Sequence, residues 1–197
     1  MNRTLAVAAV LWAGCAAPPA PGGRATISGR VVGPHGPIPD VFVYVKQGLE
    51  GLRFDAPSEP VVLDQRGLEF VPRVLGVRVG QPLRITSSDD TIHNVHCDSL
   101  RNDGFNVNLL RDESFTRVFR RPEVMIVLKC DYHAHMRAYV GVVEHPYFAV
   151  TGPDGRFRFP DLPAGTYTLA AWVEDSGVRE IRLEANPGGV REIAVQF

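Results

Sequence analysis

Cysteine is scarce in this sequence, with three among 197 residues. So few cannot form the disulfide framework on which small secreted domains rely, and each cysteine needs its own explanation. A surplus of charge is missing too. Lysine plus arginine number 21 against 22 aspartate plus glutamate, a formal net charge of -1, and nothing in that balance favours nucleic acid as a partner. No window carries the spacing of a convincing amphipathic helix, and there is no tandem repeat. What the chain does have is punctuation, 19 Gly and 16 Pro, on a background of 45% hydrophobic and 22% charged residues. That composition suits a globular protein of many short strands and turns, long enough for one large or two small domains. An all-β fold is the expectation.

The conspicuous apolar run is at the start. Arg3 is followed by Leu5 to Trp12 and then Ala13-Gly14-Cys15, the order of a secretory signal and too short to span a bilayer. The Pro- and Gly-rich stretch from Ala16 to Gly23 reads as a tether. The segment resembles a bacterial lipoprotein signal, with Leu11 one place further from the cysteine than that pattern prefers. The resemblance implies lipidation of Cys15 and a place in the periplasm or cell envelope, anchored to the membrane by lipid. An ordinary cleaved signal, with Cys15 an incidental thiol, has the same destination. Either leads to a compartment where disulfides persist.

From Ile27 onward the pattern is strand, turn, strand. Val41, Val43 and Val45 alternate with Phe42 and Tyr44, a period of two with residues suited to both faces of a pleated surface. Further strands are expected at Val61 to Leu63, Leu75 to Val79, Leu83 to Thr86, Phe115 to Phe119, Met125 to Lys129 and Tyr139 to Val143. Near the C-terminus Phe157/Phe159, Tyr167/Leu169/Ala171, Ile181/Leu183 and Ile193/Val195/Phe197 alternate between Pro-, Gly- and Asn-rich turns.

Soft sulfur and imidazole donors gather in one segment, Cys130-Asp131-Tyr132-His133-Ala134-His135-Met136, with His93-Asn94-Val95-His96 upstream. A Cys thiolate with two His and a weak axial Met is the donor set of copper electron-transfer sites. Thiolate and thioether hold Cu(I), imidazole suits Cu(II), and a compromise between the two geometries needs little rearrangement when an electron moves. Cys130 ends an expected strand, and the short Cys-x-x-His-x-x-Met loop can fold three donors around one ion. Zinc also takes Cys and His but gains little from a thioether.

These residues resemble the type 1 blue-copper cupredoxins, the amicyanin and plastocyanin branches most closely, over roughly Val61 to Glu144. The resemblance implies one Cu(I)/Cu(II) ion, His93, Cys130 and His133 as equatorial ligands, Met136 as axial ligand, and Asn94 as the residue that pins the two ligand segments together. It implies single-electron transfer with a redox protein partner such as a c-type cytochrome or a dehydrogenase. Tyr132 and His135 stand where amicyanin-like chains usually carry Pro and Phe, which alters the docking surface around His133. His135 is either a further ligand or a proton-sensitive surface group, and His96 falls on the face opposite His93. Cys97 shares parity with His93 and has three readings: a buried small hydrophobe, a disulfide with Cys130, or a second sulfur ligand.

The two ends of the chain are alike in kind. Ile27 to Val32 with Gly36 to Val43, and Thr151 to Phe159 with Leu162 to Leu169, resemble the carboxypeptidase regulatory-like, transthyretin-type β-sandwich. The expected organisation is a signal and tether over 1–23, this smaller sandwich over 24–60 with 146–197, and the cupredoxin-like copper domain over 61–145 inserted between. Two consecutive domains are the alternative. No grouping for nucleophilic catalysis stands out: Ser87, Ser88, Asp89 and His93 share one short stretch, but His93 is better used as a ligand. The expectation is therefore a copper-binding electron carrier and no enzyme, with a copper carrier or a metal-free structural module as the other classes.

Overall fold

The computed structural model describes residues 22–197, so Cys15 and the signal-like segment lie outside the described residues. It is all-β. The first strands are β1 (Arg24–Gly33), β2 (Gly36–Pro37) and β3 (Phe42–Gln47), the middle ones β4 (Val61–Gln65), β5 (Phe70–Val71), β6 (Val74–Arg78), β7 (Pro82–Ser87), β8 (His93–Cys97) and β9 (Phe105–Leu109). They are followed by β10 (Ser114–Val118), β11 (Glu123–Lys129) and β12 (Arg137–Val143), and last by β13 (Phe148–Val150), β14 (Arg156–Pro163), β15 (Gly165–Val173), β16 (Gly177–Ala185) and β17 (Val190–Gln196).

Strands from the two ends of the chain pair with each other. β1 runs antiparallel to β14 and parallel to β17, from Thr26↔Val190 to Val32↔Gln196. A second sheet has the order β13-β3-β15-β16. The period of two explains why these sheets face each other: Ile27 and Val31 of β1 and Val43 and Val45 of β3 point inward, onto Phe159, Leu169, Leu183 and Val195. Each large apolar side chain buried this way contributes about 1.5–3 kcal/mol.

The middle strands make their own pair of sheets, β10-β7-β4-β5 and β6-β12-β11-β8-β9, around Leu63, Leu83, Ile85, Val95, Phe119, Ile126, Leu128 and Val140. Gly80, at a φ of +86° that only glycine adopts without strain, turns β6 into β7. The expected strands are present, and β9, which lies at the sheet edge beside β8, is an additional one.

Both faces of β3 are covered. Phe42 and Tyr44, on the face away from Val43, pack with Phe148 and Trp172 against Val74, Tyr139 and Val143 of the middle strands. Gly141 of β12 and Gly76 of β6 are partners in the ladder, and a Cβ at Gly141 would run into the Phe42 ring, one at Gly76 into Phe148. Two missing side chains thus make the flat seat on which the aromatic rings lie. Arg73, Tyr139 and Glu174 fasten the same seam, with Arg73 Nη2 donating to Glu174 Oε2 at 2.7 Å and the Tyr139 hydroxyl to Glu174 Oε1 at 2.5 Å.

The chain crosses between the sandwiches through 48–60 and 144–147, and two side chains tie these crossings down. Buried Arg78 donates from Nη2 to the carbonyls of Phe54 (2.8 Å) and Glu144 (3.2 Å). His145 donates from Nε2 to Val45 O at 2.7 Å and accepts the Tyr147 amide at Nδ1, 3.3 Å away.

Candidate metal centre

At one end of the middle sandwich β8 begins, β11 ends and β12 begins. His93 is the first residue of β8, and its core parity, shared with Val95 and Cys97, drives the imidazole inward until it is fully buried. The β8–β11 ladder stops at His96↔Lys129, so Cys130 is the first residue to leave the sheet. The loop then closes on itself: Met136 N donates to His133 O (2.9 Å) and Cys130 N to Met136 O (3.2 Å). This returns Met136 beside Cys130, both buried in the same core.

His93, Cys130 and His133 come together, with one donor atom of each inside a span of 4.8 Å. His93 Nδ1 lies 3.1 Å from His133 Nδ1, and Cys130 Sγ lies 3.6 Å from the same nitrogen. Metal bonds of about 2.0–2.3 Å bridge such gaps at angles of roughly 95–115°, close to the tetrahedral value, so the residues fit one ion. Their chemistry also fits, since one thiolate and two imidazoles are donors that suit copper or zinc better than a hard, oxygen-seeking cation. His133 is partly exposed, whereas His93 and Cys130 are buried.

Asn94 holds the two donor-bearing segments together. Its Oδ1 accepts the Asp131 amide at 2.6 Å, and its Nδ2 donates to Asp131 Oδ2 (2.9 Å) and Asn106 Oδ1 (2.7 Å). Asn106 Nδ2 also donates to Asp131 Oδ2 at 3.0 Å, and Tyr132 Oη donates to Asn108 Oδ1 at 3.2 Å. The asparagines of β9 thus grip the Cys130 loop from the neighbouring strand. His96, then Asn94 and Asn106, lower the Asp131 carboxyl to about 2 by hydrogen bonding.

The other candidates stand apart from the cluster. His96 points to the opposite face, where Nδ1 meets Asp131 at 2.9 Å and Nε2 meets Asp98 at 3.2 Å. Cys97 lies on the face of His93 but four strand residues along, a separation of about 13 Å. Its thiol is free and buried, and burial, then the nearby Glu123, push it up to about 12. Cys130 is free as well, so no disulfide joins them. His135 is exposed, 3.0 Å from Leu68 O through Nε2.

Sequence reasoning passed over Asp89, whose Oδ2 lies 2.9 Å from His93 Nε2. An acid four residues before a candidate ligand histidine was the available signal. Asn106, Asn108 and Asp131 were missed too, because only the edge pairing of β9 brings the asparagines to the loop. Gln65 and Ser87, ladder partners, are buried at this end of the core with no hydrogen-bond partner for their side chains among the described residues.

No protein-family model matches the chain, and no curated protein matches it. Solved structures similar to it include a Cu-containing nitrite reductase from Thermus scotoductus SA-01, at 24% identity over 48% of this chain and 24% of that one, with a TM-score of 0.41. Amicyanin from Paracoccus versutus is similar at 18% identity over 51% of this chain and 96% of that one, TM-score 0.39. A purple cupredoxin from Nitrosopumilus maritimus is similar at 19% identity over 41% and 97%, TM-score 0.36.

Proposed function

We propose that the protein holds one copper ion between His93 Nδ1, His133 Nδ1 and the Cys130 thiolate, with Met136 as axial donor, and serves as a single-electron carrier. The convergence of those three donor atoms within 4.8 Å at the end of a rigid sandwich carries the reading. Copper so bound supplies a one-electron Cu(I)/Cu(II) couple. The chain's own residues do the rest. Asn94 and the β9 asparagines hold the Cys130 loop in one geometry, so little has to move when the charge changes. Burial of His93 and Cys130 keeps water from the donors and favours slow metal release over the exchange a copper carrier needs. His133, partly exposed, is the edge through which an electron enters and leaves.

The remaining parts of the proposal follow from the sequence. The chain-end sandwich is a transthyretin-type scaffold carrying the copper domain as an insertion, Cys15 is lipidated, and the protein works in the periplasm or cell envelope with a redox protein partner. The test is a Cu(II) titration of protein beginning at Ala16, followed by visible absorption and electron paramagnetic resonance, beside Cys130→Ser. One equivalent of copper giving an intense blue thiolate-to-copper band, absent from the variant, supports the reading. A folded protein that takes up no copper, or takes it up without that band, overturns it.

A further inference from the structure

His93 is fully buried, and each of its ring nitrogens has one polar neighbour. Nδ1 faces His133 Nδ1 at 3.1 Å, and Nε2 faces Asp89 Oδ2 at 2.9 Å. A neutral imidazole carries one N–H and one lone pair. A carboxylate can only accept, so the proton sits on Nε2 and the lone pair is left on Nδ1, aimed into the cluster.

Asp89 is itself held from the other side. Its Oδ1 accepts the Gly67 amide at 2.7 Å and its Oδ2 accepts the Leu68 amide at 2.9 Å. Leu68 in turn offers its carbonyl to His135 at 3.0 Å, within the Cys130–Met136 loop. A chain of hydrogen bonds therefore links the buried ligand histidine, through Asp89 and the 67–68 turn, to the loop that carries the other donors.

We propose that Asp89 is a positioning residue of the copper site, fixing the His93 tautomer and ring and biasing the bound copper toward its oxidised state. The proposal rests on the copper reading above. Two effects act in the same direction. A carboxylate hydrogen-bonded to the far nitrogen makes the imidazole a stronger donor, and a fixed negative charge one ring away from the ion stabilises the higher cation charge in a site shielded from water. Cu(II) gains more than Cu(I) from both.

The experiment compares wild type, Asp89→Asn and Asp89→Glu. In the copper-free wild type, the nitrogen-15 shifts of the His93 ring are expected to show the Nε2–H tautomer. In the copper-loaded proteins, Asp89→Asn is expected to keep the blue band while its Cu(II)/Cu(I) affinity ratio falls about tenfold, a rise of about 59 mV in reduction potential for a one-electron couple. Asp89→Glu, which keeps the charge, is expected to restore most of the difference. A His93 proton on Nδ1 in the copper-free wild type overturns the proposal whatever the variants do. A wild-type blue band with an unchanged potential in Asp89→Asn overturns it and leaves the copper reading intact, whereas a wild type that binds no copper removes both.

Discussion

His93 Nδ1 and His133 Nδ1 stand 3.1 Å apart although forty residues separate them in the chain. Nothing local brings them together. His93 opens β8, His133 rides on the loop leaving β11, and the antiparallel pairing of those strands sets the gap. The two nitrogens share one point because the core parity of β8 turns the first ring inward while the closed Cys130–Met136 loop turns the second one back.

Removing the clamp between the ligand segments should loosen the site without erasing it. In Asn94→Ala the Asp131 amide loses its acceptor and the Asp131 carboxylate a donor. The expected cost is about 0.5–1.5 kcal/mol for the hydrogen bonds lost, read as a lower denaturation midpoint, together with faster copper loss to a chelator. Unchanged stability and unchanged release would remove Asn94 from the account.

The two thiols should behave differently. Cys97→Ala removes a buried sulfur outside the donor cluster, so the expected result is a small-cavity loss of stability with copper uptake and the visible spectrum intact. A changed spectrum in Cys97→Ala would bring Cys97 into the site.

Much of this was readable in the residues, for reasons that can be located. Period-two alternation marked the strands of the chain ends, since one face of each packs on a partner sheet, and Cys130, His133 and Met136 were visible together because one short loop carries all three. His93 was found through its motif with Asn94. The Asp89 bond was not visible: Ser87, Ser88, Asp89 and Asp90 look like a polar loop until the fold sets one carboxylate against a ring nitrogen. Nor were Gly76 and Gly141 readable as a docking seat. Their significance lies in the rings of Phe148 and Phe42, which come from distant parts of the chain.

That seat gives a prediction of its own. In Gly141→Ala the new methyl meets the Phe42 ring, and overpacking of this kind costs about 1–3 kcal/mol. The expected outcome is a lower unfolding temperature, or separate unfolding of the two sandwiches by calorimetry, with the copper spectrum retained. A variant as stable as the wild type would show that the seam has room to give.

The crossing between the sandwiches should be sensitive to acid. His145 uses both ring nitrogens in its neutral form, and burial lowers its affinity for protons below the ordinary histidine value of 6.5. As pH falls through 6.5 the unfolded chain takes up a proton at this position and the folded one does not, so stability is full above that pH and declines below it. A single group contributes a slope of at most about 1.4 kcal/mol per pH unit. Denaturation of wild type and His145→Gln between pH 7.5 and 5.5, values chosen to lie about one unit either side of the unperturbed histidine, should give a smaller decline in the variant. Equal declines would contradict the assignment.

The central claim, one copper ion shared by two imidazoles and one thiolate, is tested most directly by copper K-edge X-ray absorption on the copper-loaded protein in both oxidation states. The expected result is a first shell of two nitrogens at about 2.0 Å and one sulfur at about 2.2–2.3 Å, nearly the same in Cu(II) and Cu(I). A shell of nitrogen and oxygen alone, or one that rearranges on reduction, would contradict it.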